Sequence, residues 1–176
     1  MEKAILFKSA ILASVVLHGS VMAGDPTPSP IRVELVADGL SRPVAAAFPP
    51  GDDEHAMIVG KRGDVVVVDL EDGTVRATPF LDLIGDVIFI GERGLLDLVF
   101  DPEYQSNGFF YVAYNAEPDN VLTIARYTVS ADPLVADANS QVIIKTIPHE
   151  ISGHNGGSLQ FGPVDGYLYF FSGDGS

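Results

Sequence analysis

The sequence predicts an all-β fold that forms part of a β-propeller. Glycine and proline are abundant, with 18 and 12 of the 176 residues, as is typical of short strands joined by many turns. Apolar residues make up 47% of the chain and come in short runs rich in Val, Ile, Phe and Tyr, which half-buried strands prefer. No stretch after the N-terminus keeps an apolar period of about 3.6 residues for three turns, so no helix is predicted.

The predicted strands are separated by turn residues. Asp72-Gly73 and Asp165-Gly166 are tight-turn signals, because glycine and aspartate tolerate the backbone that such turns need. The strands are predicted at residues 33–37, 44–48, 56–60, 64–70, 75–79, 95–100, 109–114, 122–129, 142–147, 158–161 and 167–172.

Three segments share one pattern, in which a strand ends in Phe, a Pro-containing turn follows, and a more apolar strand comes next. The shared phenylalanines are Phe48, Phe100 and Phe161, so the pattern recurs after 52 and 61 residues. A multi-strand repeat of roughly 40 to 50 residues or more indicates a propeller. The chain is therefore predicted to hold about two to three blades. A β-sandwich with similar hairpins is the alternative, and the common order of the three matches favours the propeller.

The chain is acidic and has no cysteine. It carries 10 Lys and Arg against 24 Asp and Glu, for a net charge of -14, and shows no basic cluster of the kind that nucleic-acid binding needs. The acidity indicates a solvated surface, with cation binding as the alternative. Without cysteine the chain has neither disulfides nor thiolate metal sites.

Residues 1–23 are predicted to be an export signal. Lys3 and Lys8 precede an apolar run at residues 10–17, and small residues lead to a cleavage site after Ala23. The apolar run is short for a membrane span, although an uncleaved anchor is the alternative. The protein is therefore expected in the periplasm or outside the cell, without a stable membrane span after cleavage.

The mature chain is predicted to begin with a linker and continue as one domain. Residues 24–30 hold three alternating prolines, which favour an extended, unstructured segment. Residues 31–176 are the predicted propeller part.

His154 is the main candidate for a catalytic group. It stands among Gly153, Gly156 and Gly157 just before a predicted strand, and glycines let a backbone approach a ligand closely. Imidazole titrates near neutrality and suits general-base catalysis. A structural histidine in a glycine-rich loop is the alternative.

Three further charged residues accompany His154. Asp174 ends the following strand, and the turn between the two strands would bring it beside His154, where a carboxylate fixes the tautomer of an imidazole. Glu92 and Arg93 hold the same point of the second repeat as His154 holds in the third. An ordinary turn is the alternative for each. The other aspartates lack the spacing of a calcium loop, so no metal site is predicted from spacing.

Three blocks of this chain resemble the PQQ (pyrroloquinoline quinone)-dependent soluble aldose sugar dehydrogenases of the glucose/sorbosone dehydrogenase family. They are Gly-Glu-Arg-Gly-Leu-Leu at 91–96 with Phe-Asp-Pro at 100–102, Asn-Gly-Phe-Phe-Tyr-Val at 107–112, and His-Asn-Gly-Gly at 154–157 followed by Gly-Asp-Gly at 173–175. Asp97 departs from the pattern, because glycine is usual there.

The resemblance implies an N-terminal portion of a six-bladed propeller that oxidises an aldose at C1. His154 matches the base, Asp174 the carboxylate that supports it, and Glu92 and Arg93 positions near substrate and cofactor. PQQ and calcium are the implied cofactors, with most of their ligands expected beyond residue 176, so the chain alone is expected to be inactive. An external electron acceptor is implied as well. A non-catalytic propeller that binds a sugar or a protein, and a purely structural β-domain, are the alternatives.

Overall fold

The computed structural model describes the backbone of Leu6–Phe7 and residues 33–175, with side chains for residues 33–175. Most of the predicted signal and all of the predicted linker therefore lie outside the described residues. Leu6–Phe7 forms β1, which pairs in parallel with β2 at Leu35–Ala37. Within the described part of the chain, no helix is long and apolar enough to cross a membrane.

Two four-stranded antiparallel sheets and one hairpin follow β2, each strand next to its sequence neighbour. This confirms the predicted all-β, partial-propeller fold with two to three blades. Blade 1 consists of β3 (Pro43–Ala47), β4 (His55–Gly60), β5 (Asp64–Asp69) and β6 (Leu81–Asp82). Blade 2 consists of β7 (Leu95–Phe100), β8 (Phe109–Ala116), β9 (Val121–Val129) and β10 (Ala136–Pro148). The separate hairpin consists of β11 (Gly156–Phe161) and β12 (Leu168–Ser172).

The predicted strand at residues 75–79 is wrong. Val75 makes only an isolated bridge to Val68, and regular pairing resumes at β6. Pro79 has no amide hydrogen to donate to a neighbouring strand, which explains why the ladder is interrupted here. The structure also contains one short helix that the sequence did not predict, α1 at Tyr104–Asn107, which ends at Gly108 with a left-handed φ of 68°.

The main core lies between blades 1 and 2. The Phe80 ring of blade 1 packs against Phe110 of blade 2 at 4.9 Å between centroids, and both side chains are buried. Phe100, one of the three repeated phenylalanines, lies at the same junction, 6.0 Å from Phe80. Burying a side chain of this size contributes roughly 1.5–3 kcal/mol. The two blades therefore form one packed unit.

The β11–β12 hairpin packs on the other side of blade 2. Leu159 is buried against Ala113 and Ile124, and the Phe161 ring meets Tyr111 edge to face at 5.4 Å. Asp97 links the two units, because its carboxylate accepts the Leu159 amide at 2.7 Å. Asp97, where the resemblance leads us to expect glycine, thus joins blade 2 to the hairpin.

Asp97 is expected to make stability depend on pH. Burial raises the pKa of this carboxyl, although hydrogen bonds from Leu159, Leu98 and Ser158 oppose the rise. The folded chain therefore holds the proton more tightly than the unfolded chain. The resulting stabilisation is complete below the ordinary pKa of 3.8 and is lost as the pH rises through the higher folded pKa.

The Asp97→Asn variant removes this titration. Between pH 4 and pH 7, we expect its free energy of unfolding in urea to fall less than that of the unchanged protein. A change in stability that is the same at every pH does not affect this comparison. Asp53→Asn, in an exposed turn, is the matched control. Parallel pH profiles for Asp97→Asn and the unchanged protein would contradict the assignment.

The register places the loops at two opposite ends of the strands. At one end, seven aspartates each accept the amide hydrogen of the residue two positions later, and so close a turn with the side chain. They are Asp52, Asp69, Asp72, Asp101, Asp132, Asp137 and Asp165. Seven of the 24 acidic residues therefore have a role in turn structure. The opposite end, which holds His154, is called the His154 end below.

Candidate functional site

The His154 end gathers loops from both blades and from the hairpin. Residues 61–63 join β4 to β5, residues 83–94 join blade 1 to blade 2, and residues 149–155 join blade 2 to β11. Residues 173–175 follow β12 and lie beside the start of β11, since Gly156 pairs with Ser172. Four separate segments therefore meet around His154.

The structure brings His154 and Asp174 into direct contact. His154 Nδ1 lies 2.9 Å from Asp174 Oδ1, and the two side chains are 60% and 68% exposed. An ionised carboxylate only accepts hydrogen bonds, so the contact fits the tautomer with hydrogen on Nδ1. That tautomer leaves Nε2 with a lone pair that can take a proton from a ligand.

Glu92 holds the backbone of His154. Its Oε2 accepts the His154 amide hydrogen at 2.6 Å, and its own amide donates to the Ser152 carbonyl at 2.9 Å. Glu92 thereby fixes the base from the backbone side, while Asp174 fixes the ring. The structure brings these three predicted site residues together.

Arg93, the fourth predicted site residue, contacts the adjacent loop rather than the imidazole. Its guanidinium donates to the carbonyls of Glu150 at 3.0 Å and His149 at 3.4 Å. The His149 ring is 7% exposed and lies 3.0 Å from the Gly153 carbonyl oxygen. Arg93 and His149 thus anchor the loop that carries His154.

Two buried asparagines lie beneath His154. Asn115 and Asn155 are 0% and 1% exposed, and Asn115 Nδ2 donates to Asn155 Oδ1 at 2.9 Å. Asn115 Oδ1 also accepts the Gly94 amide at 3.2 Å, and Asn155 Nδ2 donates to the Ser152 carbonyl at 3.1 Å. The pair therefore connects blade 2, the Glu92 loop and the His154 loop through the protein interior.

The close approach of the chain at Gly173 requires glycine. A Cβ added there would lie 1.7 Å from the His154 carbonyl oxygen. Such a distance is impossible without separating the two strands, so this glycine lets the Asp174 segment approach His154.

Backbone strain is concentrated at this end. Among the described residues, the non-glycine residues with positive φ are Arg42 at 49°, Asn120 at 55° and His154 at 54°, and all three lie at the His154 end. Left-handed backbone costs a side-chain-bearing residue roughly 1–2 kcal/mol. Strained residues cluster at functional sites, which agrees with the location of the site here.

Sequence reasoning missed Asn115 and gave Asn155 no role of its own. The signal for Asn115 was a polar residue near the end of an otherwise apolar strand, Phe109–Ala116. Burial of the Asn115 side-chain amide depends on the loops that hold Gly94 and Asn155, and these loops reach Asn115 only in the folded chain.

Residues 40–176 match the family model of glucose/sorbosone dehydrogenases. Hedgehog-interacting protein of Mus musculus is 35% identical over 156 residues, which cover 81% of this chain and 22% of that protein. Aldose sugar dehydrogenase YliI of Escherichia coli (strain K12) is 29% identical over 150 residues, 84% of this chain and 39% of that protein.

Solved structures agree with these similarities. The PQQ-bound aldose sugar dehydrogenase of Streptomyces coelicolor superposes with a TM-score of 0.66 and 26% identity, over 80% of this chain and 40% of that chain. The chain therefore spans about two fifths of the dehydrogenases and about a fifth of the mouse protein. Because the family match extends over most of its length, this chain belongs to the glucose/sorbosone dehydrogenase family.

Proposed function

We propose that the protein containing this chain oxidises an aldose at C1 with PQQ as cofactor. The observation that carries the proposal is the exposed His154 imidazole, whose Nδ1 is held by Asp174 and whose backbone is held by Glu92. Family membership and the similarity to a PQQ-bound aldose sugar dehydrogenase support it.

In this mechanism the His154 Nε2 accepts the proton of the C1 hydroxyl group while the hydrogen on C1 departs as hydride. The sugar becomes a lactone. Asp174 keeps the imidazole in the required tautomer and stabilises the imidazolium that forms. PQQ, when bound, supplies the two-electron acceptor. Glu92 positions the base through the His154 amide.

The described residues fit the substrate side of such a site. They present a base on a side chain that is 60% exposed, next to Gly153, where an added Cβ would meet no atom closer than Glu92 Oε2 at 4.0 Å. Among residues 33–175, no group of three or more His, Cys, Asp or Glu side chains is arranged to hold a metal ion. The described residues therefore fit the base and its supports, and they do not form a Ca²⁺ site.

The test is dye-linked oxidation of aldoses by purified protein that contains this chain, after incubation with PQQ and Ca²⁺. We expect turnover that depends on PQQ and on His154. No turnover with any aldose of a broad panel, from protein shown to bind PQQ, would contradict the proposal.

Binding of a protein or sugar without catalysis is the second candidate function. It is favoured by the 35% identity to Hedgehog-interacting protein, whose name states a protein partner. In that case the unchanged protein would bind its ligand without turnover, and His154→Ala would leave that binding intact. A dehydrogenase would instead show turnover in the unchanged protein and lose it in His154→Ala while keeping binding. Measuring binding and turnover in both the unchanged protein and the variant separates the two functions.

We further propose export of the protein, on the basis of the predicted signal at residues 1–23. We expect the mature protein, expressed with its own N-terminus in a bacterium, to begin at Gly24. Edman sequencing or intact-mass measurement of the exported protein checks this, and a mass that retains residues 1–23 would support the anchor alternative.

A further inference from the structure

Three cationic side chains surround a single aromatic ring at the His154 end. The Arg42 guanidinium carbon, the Lys61 ammonium nitrogen and the Arg62 guanidinium carbon lie 4.8, 5.7 and 5.9 Å from the centroid of the Phe89 ring. These four residues are called the cationic rim. It concentrates positive charge at one point of a chain whose net charge is -14.

The positive charge of the rim is not balanced by a carboxylate. None of the three cations forms an ion pair with a described residue, and Lys61 Nζ donates to a neutral carbonyl, that of Gly91. Two acidic residues near the rim in sequence have other contacts: the Asp64 carboxylate lies against Gly60, and Glu92 accepts the His154 amide. Positive charge is thus gathered at one ring, where an anion would be attracted by all three groups.

The rim is physically connected to the base. Lys61 contacts the chain on both sides of Glu92 in sequence. Its Nζ donates a hydrogen bond to the Gly91 carbonyl, and its carbonyl accepts the Leu95 amide hydrogen at 3.0 Å. The turn that carries Lys61 and Arg62 is thus docked on the loop that holds His154. The rim therefore lies beside the loop in which Glu92 accepts the His154 amide.

The backbone of Arg42 is strained as well. With a φ of 49°, arginine occupies a conformation in which glycine or asparagine would be less costly. Its guanidinium lies closer to the Phe89 centroid than the other two cations do. Strain and unbalanced charge at one residue together indicate a ligand-binding role.

We propose that the cationic rim binds the carboxylate of an acidic aldose, such as a uronic acid, while its C1 faces His154. The inference rests on the proposed function and adds a substrate class to it. Arginine guanidinium groups match the two oxygens of a carboxylate, and the Phe89 ring offers an apolar floor. Three cations around one ring match a single anionic group, whereas a protein partner needs roughly 800 Å² per side. Oxidation at C1 leaves the carboxylate unchanged, so no additional reactant is needed.

The test compares D-glucuronate with D-glucose as substrates of the PQQ-loaded protein. In the double variant Arg42→Ala/Arg62→Ala, we expect KM for glucuronate to rise by at least tenfold, with kcat within twofold and both constants for glucose within twofold. Raising NaCl from 50 to 500 mM should raise KM for glucuronate and leave KM for glucose nearly unchanged. Arg76→Ala is the matched control, because Arg76 is paired with Asp132 away from the rim.

The outcomes separate this inference from the proposed function. Oxidation of glucose with no effect of the double variant on glucuronate overturns the rim and leaves the proposed function intact. An equal loss with both sugars, accompanied by weaker PQQ binding, would place the cofactor at the rim and also overturn the inference. If neither sugar is oxidised, the proposed function fails, and calorimetric titration with D-glucuronate then tests anion binding by the rim separately. Binding by the unchanged protein that is lost in the double variant supports the rim, and no binding by the unchanged protein overturns it.

Discussion

His154→Ala is expected to lower kcat for aldose oxidation by about 10²–10⁴-fold, the usual contribution of a positioned general base. The reason is geometric: Asp174 occupies Nδ1 at 2.9 Å, so Nε2 is the nitrogen left to accept the hydroxyl proton. Asp174→Asn should have a smaller effect, in the range of 10–100-fold, because the imidazole remains while its orientation and tautomer are less well fixed. Initial rates with saturating dye and saturating sugar measure both effects.

A second histidine–aspartate pair in the same chain supplies the control. His55 Nδ1 lies 2.9 Å from Asp52 Oδ2, a contact of the same length at the opposite end of the strands. His55→Ala should therefore leave kcat within about twofold, even if it weakens the turn. Equal losses from both histidine variants would show that His154→Ala acts through folding and not through the base.

Replacing His154 with glycine separates catalysis from strain. Glycine relieves the left-handed backbone at φ 54°, so this variant should be more stable than His154→Ala by roughly 1 kcal/mol. Both variants should be inactive, and added imidazole should restore part of the activity of the glycine variant. Turnover close to that of the unchanged protein in either variant would remove His154 from the mechanism.

Much of this site was predictable from the sequence, because its main residues flank strands that local apolar and turn patterns predict. The strand at 95–100 was predicted with the bounds that the structure shows, and the turn at Asp165-Gly166 brings Asp174 back to His154. The strand predicted at 75–79 failed because Val75 makes only an isolated bridge and Pro79 has no amide hydrogen to continue the ladder.

Groups that depend on contacts between distant segments were not predictable. Arg42 and Phe89 are 47 positions apart, and no local pattern indicates that their side chains meet. His149 is buried in the same way, because the Arg93 loop and Gly153 cover it. Tertiary packing determines whether a polar side chain is buried, and neither the apolar periodicity nor the composition of the sequence encodes that packing.

The largest effect on stability is expected from the buried Asn115–Asn155 pair. Asn155→Ala removes the acceptor of Asn115 Nδ2 and leaves that buried amide without its protein partner. It also removes one of two donors to the Ser152 carbonyl, which keeps its hydrogen bond from the Glu92 amide. The unsatisfied amide costs about 1–3 kcal/mol and the second lost hydrogen bond about 0.5–1.5 kcal/mol, so the variant should lose roughly 1.5–4.5 kcal/mol of unfolding free energy. Urea denaturation followed by circular dichroism measures this loss.

A double-mutant cycle distinguishes a coupled pair from two independent losses. Asn115→Ala alone should cost a similar amount, because Gly94 then loses its acceptor. The double variant should be less destabilised than the sum of the single variants by about 1–3 kcal/mol, since each single change already breaks the shared bond. Asn139→Ala, at an exposed position, is the control and should change stability by less than about 0.5 kcal/mol.

The same pair predicts how stability and catalysis are linked. Asn155 follows His154 directly, and its side chain is the interior anchor of the loop that Glu92 and Asp174 hold from outside. Removing that anchor should displace His154 in the folded protein. Asn155→Ala should therefore have a lower kcat even under conditions where circular dichroism shows that the protein is fully folded. Asn115→Ala, whose side chain is one hydrogen bond further from the loop, should lower kcat less. Strict additivity in the cycle, together with unchanged kcat in folded Asn155→Ala, would mean that the two amides fill space without positioning the site.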